Sequence, residues 1–449
     1  MATREELKQA ACAAIERHSD DLIAVAKDIL ANPEPGYSEY RTARVVAEQF
    51  AKLGVPFRAN LALTGLKGSI KGGAGAGPRV AIIGELDSLI VDGHPFAADA
   101  TRAAHACGHH CQIGMMLGAV IGLSSSEVLP ELSGEIVPFA VPAEEFIEVA
   151  RRLDLRESGK IEFLGGKQEL IKLGEFDDVD IAMMCHTASD MGSHAFAMGG
   201  TSNGHVVKYV RFIGRAAHAG SSPHLGINAL NAANFALQAV NANRELYREQ
   251  DTVRIHGIMT YGGQAVNSVP SDVRLEWRVR SGTPEAVVRY SDIVDRCFRS
   301  GALAVGASVS ITNIPGYLPM RHDQNLLDVF RVNAKGLLQE NRVLMMPPTR
   351  NRGGSTDMGD LSHIIPSIHP YTAGAEGPGH SSEYLITDYH QAVVNPAKIM
   401  AMSVIDLLSD NAEGARRVTT SFRPAMSKGS YLNFQRQRAE VIEFDGAAT

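Results

Sequence analysis

The stretch Ile136-Val-Pro-Phe-Ala-Val-Pro-Ala-Glu-Glu145 runs from an apolar segment directly into two adjacent carboxylates. A short apolar run of this kind is typical of a buried strand. Acids that follow such a strand lie at its C-terminal end, where open α/β sheets collect their ligands. One carboxylate of such a pair could bind a metal ion while its neighbour moves the proton of a water molecule.

Apolar strands alternate with helices on both sides of this stretch. We predict strands at residues 68–71, 79–83, 136–141 and 176–185, and helices at 5–30, 39–53, 114–123, 325–338 and 398–408. This alternation is typical of an α/β domain with a mostly parallel twisted sheet flanked by helices.

The pattern changes after the glycine- and serine-rich segment 199–204. We predict strands at residues 205–213, 253–260, 273–280 and 307–314, and helices at 227–247 and 284–301. This β-α-β-β-α-β order predicts a ferredoxin-like α+β domain inserted into the first one. We therefore assign residues 1–200 and 316–410 to a catalytic domain, 201–315 to the inserted domain, and the polar residues 411–449 to a C-terminal tail.

Composition limits the classes of partner and compartment. The chain has 449 residues, a net charge of −7 and five cysteines, with 45% hydrophobic and 21% charged residues. The acidic balance gives no electrostatic reason to expect nucleic acid or an anionic membrane as partner. The cysteines are odd in number and scattered, there is no signal-peptide pattern, and no apolar run approaches ~20 residues. We therefore expect a soluble cytoplasmic protein that acts on a small molecule.

The stretch His105-Ala-Cys-Gly-His-His110 places four candidate metal-binding or proton-moving side chains within six residues. Cys107 and His109 are two residues apart and can face one ion in a turned backbone. Thiolate and imidazole together favour zinc, cobalt or manganese over calcium or magnesium. A buried cysteine and a satisfied core histidine are the alternative, and His105, His110 and the intervening glycine make a metal site about as plausible as that alternative.

Other histidines differ in context. His186 follows an apolar strand, and His380 lies in the glycine-rich loop 377–383. His218 lies in the inserted domain and needs a separate explanation. We interpret the remaining isolated histidines as surface or packing residues: His18, His256, His322 and His390.

Several motifs in the same order resemble those of the M20 metallopeptidases, and within them the M20D amidohydrolase branch. The matching segments are 31–39, Gly84-Glu-Leu-Asp-Ser-Leu89, 105–109, Pro142-Ala-Glu-Glu145, Ala217-His-Ala-Gly220, 226–230 and 262–267. The segment Gly354-Ser-Thr-Asp-Met-Gly-Asp360 resembles the aminobenzoyl-glutamate hydrolase-like subgroup.

This resemblance implies an enzyme with one or two zinc, manganese or cobalt ions in each subunit. The residues that match the family's metal ligands are Cys107, His109, Glu145, His186 and His380. Glu144 matches the general base, and Asp87 and His110 would lie behind the ligands. The inserted domain would be a lid and dimerisation domain, whose His218 and Asn267 reach a substrate across a homodimer or a dimer-based oligomer. Arg280 could hold a substrate carboxylate.

Three departures bear on the substrate. His110 stands where relatives usually have Asp or Asn, the bulky segment 146–156 replaces a short glycine-rich stretch, and the tail beyond residue 410 has no clear counterpart. We expect hydrolysis of an amide bond in a small N-acyl or N-aroyl amino acid or a related conjugate. The alternative is hydrolytic deamination of an activated aromatic amine of the nitroanthranilate type. A catalytically silent binding protein is a third possibility, against which every expected ligand is present.

Overall fold

The computed structural model describes residues 2–338 and 340–448. The helices are α1 (Arg4–Arg17), α2 (Ser19–Leu30), α3 (Tyr40–Lys52), α4 (His109–Leu123), α5 (Val149–Glu157), α6 (Gly166–Leu173), α7 (Ala229–Ala242), α8 (Pro284–Val305), α9 (Gln324–Leu337), α10 (Met358–Ser362), α11 (Asn395–Ser421) and α12 (Lys428–Gln437). The strands are β1 (Phe57–Leu61), β2 (Gly65–Gly68), β3 (Ile70–Lys71), β4 (Arg79–Glu85), β5 (Leu89–Ile90), β6 (Ala103–Ala104), β7 (Glu135–Val141), β8 (Ile181–Met183), β9 (His186–Thr187), β10 (Phe196–Thr201), β11 (Gly204–Ile213), β12 (Arg254–Tyr261), β13 (Asp272–Ser281), β14 (Ser308–Pro315), β15 (Val343–Asn351), β16 (Ser367–Ile368), β17 (Tyr371–Thr372), β18 (Ala375–Glu376), β19 (Leu385–Ile386) and β20 (Val441–Asp445).

The central sheet has the order β1-β2-β7-β4-β8-β16, with β3 also paired to β7. Its middle is parallel, since β4 pairs in parallel with β7 and β8, and β8 with β16. Glu85 lies opposite Val141 at the C-terminal ends of β4 and β7. The acids that follow these two strands therefore meet at one edge, and the predicted α/β class with a mostly parallel core is confirmed.

Both faces of this sheet are covered. One face packs on a large apolar core that includes residues of α1, α2, α4, α9 and α11, and α4 is buried almost throughout its length. The other face packs on a second core to which Phe139, Phe176, Met358 and Tyr431 contribute. Burial on both faces explains why β4 and β7 consist of continuous apolar residues rather than alternating ones.

The inserted domain has the strand order β12-β13-β11-β14-β20. The pairings within this sheet are antiparallel. Helices α7 and α8 cover one face, packing on apolar residues such as Phe212, Leu275 and Phe298. The first four strands and two helices have the ferredoxin-like arrangement expected from the sequence, and we call this unit the lid.

The fifth strand of the lid sheet comes from the C-terminal residues, which the sequence led us to treat as a surface tail. That expectation is wrong. Helix α11 continues to Ser421 across a break at Ser409–Ala412, α12 packs its buried Tyr431 against Asp360, and β20 pairs with β14. The alternation of Ile442 and Phe444 in β20 is too short for a clear sequence signal.

Three other elements differ from the expected ones. The predicted helix 5–30 breaks at His18, where φ is −106° and ψ is 12°. The predicted strand 176–185 is reduced to β8, and α4 begins at His109 rather than at Gly114. The segment His390–Ser421 has the length and hydropathy of a membrane helix, but 83% of its most apolar window is buried inside the protein, as in a core helix.

Candidate metal centre and active site

The turn before α4 determines where the Cys107 and His109 side chains point. Gly108 has a φ of 88°, in the left-handed region, and a Cβ there would lie 2.0 Å from Thr187 Oγ1. Only glycine fits this backbone without displacing its neighbour. The turn places Cys107 just before the helix and His109 in its first turn, so both face the C-terminal ends of β4 and β7.

The five side chains predicted as metal ligands form two groups that share one atom. The ligand atoms of Cys107, His109 and His186 lie within 4.8 Å of one another, and so do those of Cys107, Glu145 and His380. Cys107 Sγ lies 3.2 Å from His186 Nε2, and His380 Nε2 lies 3.4 Å from Glu145 Oε1. Each group has the donor types that Zn²⁺ and similar ions take.

Two histidines are oriented so that their Nε2 atoms face this cluster. His109 Nδ1 lies 2.9 Å from the carbonyl oxygen of Asp87, and His186 Nδ1 lies 2.6 Å from that of Thr187. Among the described residues, His109 Nε2 and Glu145 Oε1 are buried and make no well-aligned hydrogen bond, although Glu85 Oε2 and His380 Nε2 lie within ion-pair distance of them. Buried unpaired polar atoms are costly, and a metal ion would satisfy both. The candidate ligands therefore fit a divalent metal ion.

Asp87 joins the two motif loops. Its Oδ2 accepts a 2.8 Å hydrogen bond from the backbone N–H of Glu145, and its Oδ1 lies 3.3 Å from His109 Nδ1. A carboxylate behind a histidine fixes the ring and its tautomer. The structure thus places Asp87 behind the ligands, where the sequence motif suggests.

A buried ionic cluster adjoins this site, and two of its three members, Glu85 and Asp357, lie in motifs noted in the sequence. Lys167 Nζ lies 2.6 Å from Glu85 Oε1 and 2.5 Å from Asp357 Oδ1, and all three side chains are buried. Glu85 Oε2 lies 3.0 Å from His109 Nε2. Lys167 gave no sequence signal, because a lysine at the start of an amphipathic helix is usually solvated.

Glu144 lies beside the ligand cluster on a strained loop. Its Oε2 is 3.9 Å from His109 Nε2, and its backbone carbonyl accepts a hydrogen bond from the hydroxyl of Tyr317. Ala143 and Glu148 have φ values of 53° and 51°, in the left-handed region. Such strain persists only where surrounding contacts enforce it, and it is frequent at functional sites. Burial and the carboxylates of Glu85 and Glu145 raise the pKa of Glu144 well above its usual value.

Cys107 needs a cation to become a thiolate at neutral pH. Burial, followed by the nearby Glu145, raises the pKa of its thiol, while His109 opposes the shift. A coordinating metal ion reverses this balance, since metal-bound thiols are deprotonated. The Cys107 environment is therefore suited to metal binding and poorly suited to a free nucleophile.

His110 points away from this cluster. It lines a separate pocket with His105 and Tyr389, and its Nε2 lies 3.4 Å from the Tyr389 hydroxyl. Among the described residues it belongs to none of the three-residue ligand groups. The expected position directly behind His109 is therefore wrong, because consecutive helical residues point about 100° apart.

His218 and Asn267 lie together on the lid, at a distance from the catalytic acids. Ala219 N–H donates to the Asn267 carbonyl at 2.9 Å, and both His218 and Asn267 are exposed. Neither residue lines the cleft above Glu144 and Glu145 in the part of the chain described. Within one subunit, the structure does not bring them to the metal cluster.

A cleft of about 490 Å³ opens between the lid and the catalytic domain, next to Glu144, Glu145 and His380. Arg280 lines it, as expected for a substrate-binding residue. Its other lining side chains were missed in the sequence, and they include His205, Arg254, His256, Arg278, Tyr317 and Arg352. His256, which we interpreted from the sequence as a surface or packing residue, therefore lines the cleft. The alternation of charged and apolar residues along β13 was a signal that could have located Arg278.

The chain is similar to several known proteins. The family described as the M20 peptidase dimerisation domain matches residues 200–303. The mouse Xaa-Arg dipeptidase is 28% identical over 460 residues, covering 96% of this chain and 95% of the relative. Further curated relatives are named as a carboxypeptidase and a deacetylase.

Two solved structures show the same fold. A dinuclear metal-binding peptidase of the M20 family from Bacillus subtilis has a TM-score of 0.63 and 18% identity, covering 88% of this chain and 99% of the other. The aminobenzoyl-glutamate utilization protein from Klebsiella pneumoniae has a TM-score of 0.65 and 18% identity, covering 88% and 97%. Together with the motifs and the lid, these likenesses show a metal-dependent amidohydrolase that is similar to the M20 peptidases.

Proposed function

We propose that this enzyme hydrolyses the amide bond of a small N-acyl or N-aroyl amino acid or a related conjugate. The observation that carries the proposal is the division of the five candidate ligands into two groups that share Cys107 Sγ. Two ions held side by side can act on both the attacking water and the scissile carbonyl. The identity of the ions, for which we propose zinc, manganese or cobalt, rests on the donor types alone.

Each candidate residue has a proposed role in this reaction. Cys107, His109 and His186 would hold one ion, and Cys107, Glu145 and His380 would hold the other. The ions, when bound, would lower the pKa of water and polarise the carbonyl. Glu144, adjacent to both groups, would accept the proton from the water and return it to the leaving nitrogen. The cleft beside Glu144 is large enough to hold a small conjugate.

We further propose that the site is completed by a second subunit. His218 and Asn267 lie on an exposed part of the lid that also carries exposed apolar side chains. Leu225 is 57%, Phe235 49% and Val266 101% exposed. Such residues are candidates for an interface between copies of the chain. A partner's lid could then bring a histidine and an amide to the developing negative charge on the substrate.

Deamination of an activated aromatic amine is the second candidate function, and one observation supports an aromatic substrate. Phe146, His205 and Tyr317 form a cluster of rings at the cleft, with centroid separations of 5.4, 5.6 and 4.7 Å. This wall suits a flat aromatic group, which an aroyl amino acid and an aromatic amine both have. It comes in part from the bulky segment after Glu145.

The two functions differ in the product released. The metal-loaded protein should be incubated with N-benzoyl and N-acetyl amino acids, and separately with nitro-substituted anilines and anthranilates. Release of a free amino acid supports amide hydrolysis, whereas release of ammonia from the ring substrates supports deamination. The Glu144→Gln protein is the control, since it should be inactive in either reaction. Failure to hydrolyse either panel with metal bound would contradict both functions.

A cytoplasmic location remains our proposal. All five cysteines are free thiols in the structure, as in proteins of a reducing compartment.

A further inference from the structure

Glu39 is a buried carboxylate that has no part in the proposed reaction. It lies immediately before α3 and is fully buried, and no arginine or lysine pairs with it in the part of the chain that the structure describes. Burial, followed by the charge of Asp87, raises the pKa of its carboxyl to about 7. A carboxylate buried without a cation is costly, and the contacts that offset this cost show what the side chain holds.

Each oxygen of Glu39 accepts a hydrogen bond from a segment distant in sequence. Oε1 accepts from the backbone N–H of Ala143 at 2.8 Å, and Oε2 accepts from the hydroxyl of Thr64 at 2.7 Å. Thr64 lies in the turn between β1 and β2, and its side chain is buried. The Thr64 hydroxyl therefore orients the carboxylate so that Oε1 faces the residue before Glu144.

Ala143 has a backbone conformation that its surroundings must enforce. Its φ of 53° lies in the left-handed region, which is unfavourable for alanine. Ala143 is also fully buried, so its N–H would cost further free energy if it had no acceptor. Loss of the Glu39 carboxylate would therefore favour a relaxed loop in which Ala143 leaves this conformation.

Glu144 is held from both sides by separate carboxylates. Before it, the N–H of Ala143 donates to Glu39, and after it the N–H of Glu145 donates to Asp87. The two anchors are independent, because Glu39 comes from the segment before α3 and Asp87 from the loop after β4. A change at Glu39 should therefore move Glu144 while the candidate ligand Glu145 stays in place.

We propose that Glu39 is a positioning residue that holds Glu144 beside the metal cluster through the backbone N–H of Ala143. The inference rests on the proposed role of Glu144 as proton acceptor and extends it to a residue outside the metal cluster. A misplacement of about 1 Å at a catalytic group can lower turnover by ~10²-fold. The cleft and the candidate ligands would keep their positions, so the effect should appear in kcat and not in KM.

Two substitutions of Glu39 test this role in the metal-loaded protein, with the amide substrate that it hydrolyses fastest. Glu39→Leu removes both accepting oxygens, so kcat should fall by about 10–100-fold while KM and metal content stay within about twofold. Glu39→Gln keeps one oxygen for the N–H of Ala143, and the Thr64 hydroxyl can turn to accept from the amide. Its kcat should therefore lie within about threefold of wild type. Equal losses in the two variants, or a loss confined to KM or metal content, would contradict positioning.

Glu34→Leu is the matched control. The Glu34 carboxylate accepts from the backbone N–H groups of Arg41 and Thr42 at the start of α3. Among the described residues, none of its side-chain hydrogen bonds reaches the loop after β7. This variant should lower thermal stability and leave kcat within about threefold of wild type. A loss of kcat equal to that of Glu39→Leu would reduce Glu39 to a structural residue and overturn the inference.

Thr64→Val keeps the test available if Glu39→Leu does not fold. The substitution is nearly isosteric and removes only the hydroxyl that orients the carboxylate. We expect kcat to fall by about 3–10-fold, less than in Glu39→Leu, again without a change in KM. An unchanged kcat in this variant would contradict the proposed orientation of Glu39.

Amide hydrogen exchange separates this inference from the proposed reaction. Mass spectrometry of the metal-loaded proteins would follow the peptide that contains residues 142–148. Exchange there should increase in Glu39→Leu and not in Glu34→Leu, even if the wild-type protein hydrolyses no amide, in which case only the proposed reaction fails. Unchanged exchange in Glu39→Leu would overturn the inference whatever the activity.

Discussion

Cys107 Sγ lies 3.2 Å from His186 Nε2, and the same sulfur also belongs to the ligand group of Glu145 and His380. One short turn before α4 therefore contributes to both candidate positions for a metal ion. The other four candidate ligands come from the start of α4, the loop after β7, β9, and the loop after β18. Because these segments are far apart in sequence, the sharing of Cys107 is a property of the fold.

Replacing Glu144 with glutamine should separate catalysis from metal binding. The amide keeps the shape of the side chain but cannot accept a proton, so turnover should fall by ~10²–10⁴-fold. Metal content, measured by elemental mass spectrometry, should be unchanged. Turnover within about threefold of wild type would move the proton-transfer role to another residue.

His218→Ala should lower turnover by ~10²–10³-fold without releasing metal, as expected for the loss of one donor to developing negative charge. A mixture of His218→Ala and Glu144→Gln proteins, with subunits allowed to exchange, should regain part of the activity. Each mixed dimer has one site with both defects and one with neither. No recovery despite confirmed exchange would mean that His218 does not act across subunits.

Lys167→Met should destabilise the metal-free protein by about 3–5 kcal/mol, because it leaves the buried carboxylates of Glu85 and Asp357 without their cation. Urea unfolding followed by circular dichroism measures this change. Lys172→Met, on the same helix but partly exposed and paired with Glu169, is the control and should cost less than about 1 kcal/mol. Equal losses in the two variants would contradict the role of the buried cluster.

Deleting residues 440–449 should destabilise the lid by ~2–4 kcal/mol, since it exposes apolar surface now covered by Ile442 and Phe444. It also leaves β14 as an edge strand, so hydrogen exchange should increase over Ser308–Pro315. Deletion of residues 447–449 alone is the control and should change neither quantity. Unaltered exchange in β14 after the longer deletion would show that β20 does not support the lid.

The main strands, and the order of strands and helices, could be predicted because the burial of a segment produces a local pattern of apolar residues. We could recognise β4 and β7 from their apolar runs. The β-α-β-β-α-β order of the lid could be recognised from the periodicity of its apolar residues. The candidate ligands Cys107, His109 and Glu145 and the proposed proton acceptor Glu144 could be predicted because they lie in short motifs.

Other features depend on contacts between distant segments and left no local signal. Lys167 is buried by carboxylates that are 82 and 190 residues away in sequence. Strand β20 forms only because the edge of β14 accepts it. Arg254 and His256 become one surface with Arg278 and Arg280 through strand register, which the sequence does not specify.

The metal content of two single variants tests the central claim most directly. Elemental mass spectrometry on purified, metal-saturated protein should give two ions per subunit for the wild type. His380→Ala should lose one ion, because it removes a ligand from one group, whereas Cys107→Ala should lose both. His18→Ala, an exposed residue at the α1–α2 break, should retain the wild-type content. Equal metal content in Cys107→Ala and His380→Ala, or one ion in the wild type, would contradict a site organised around a shared Cys107.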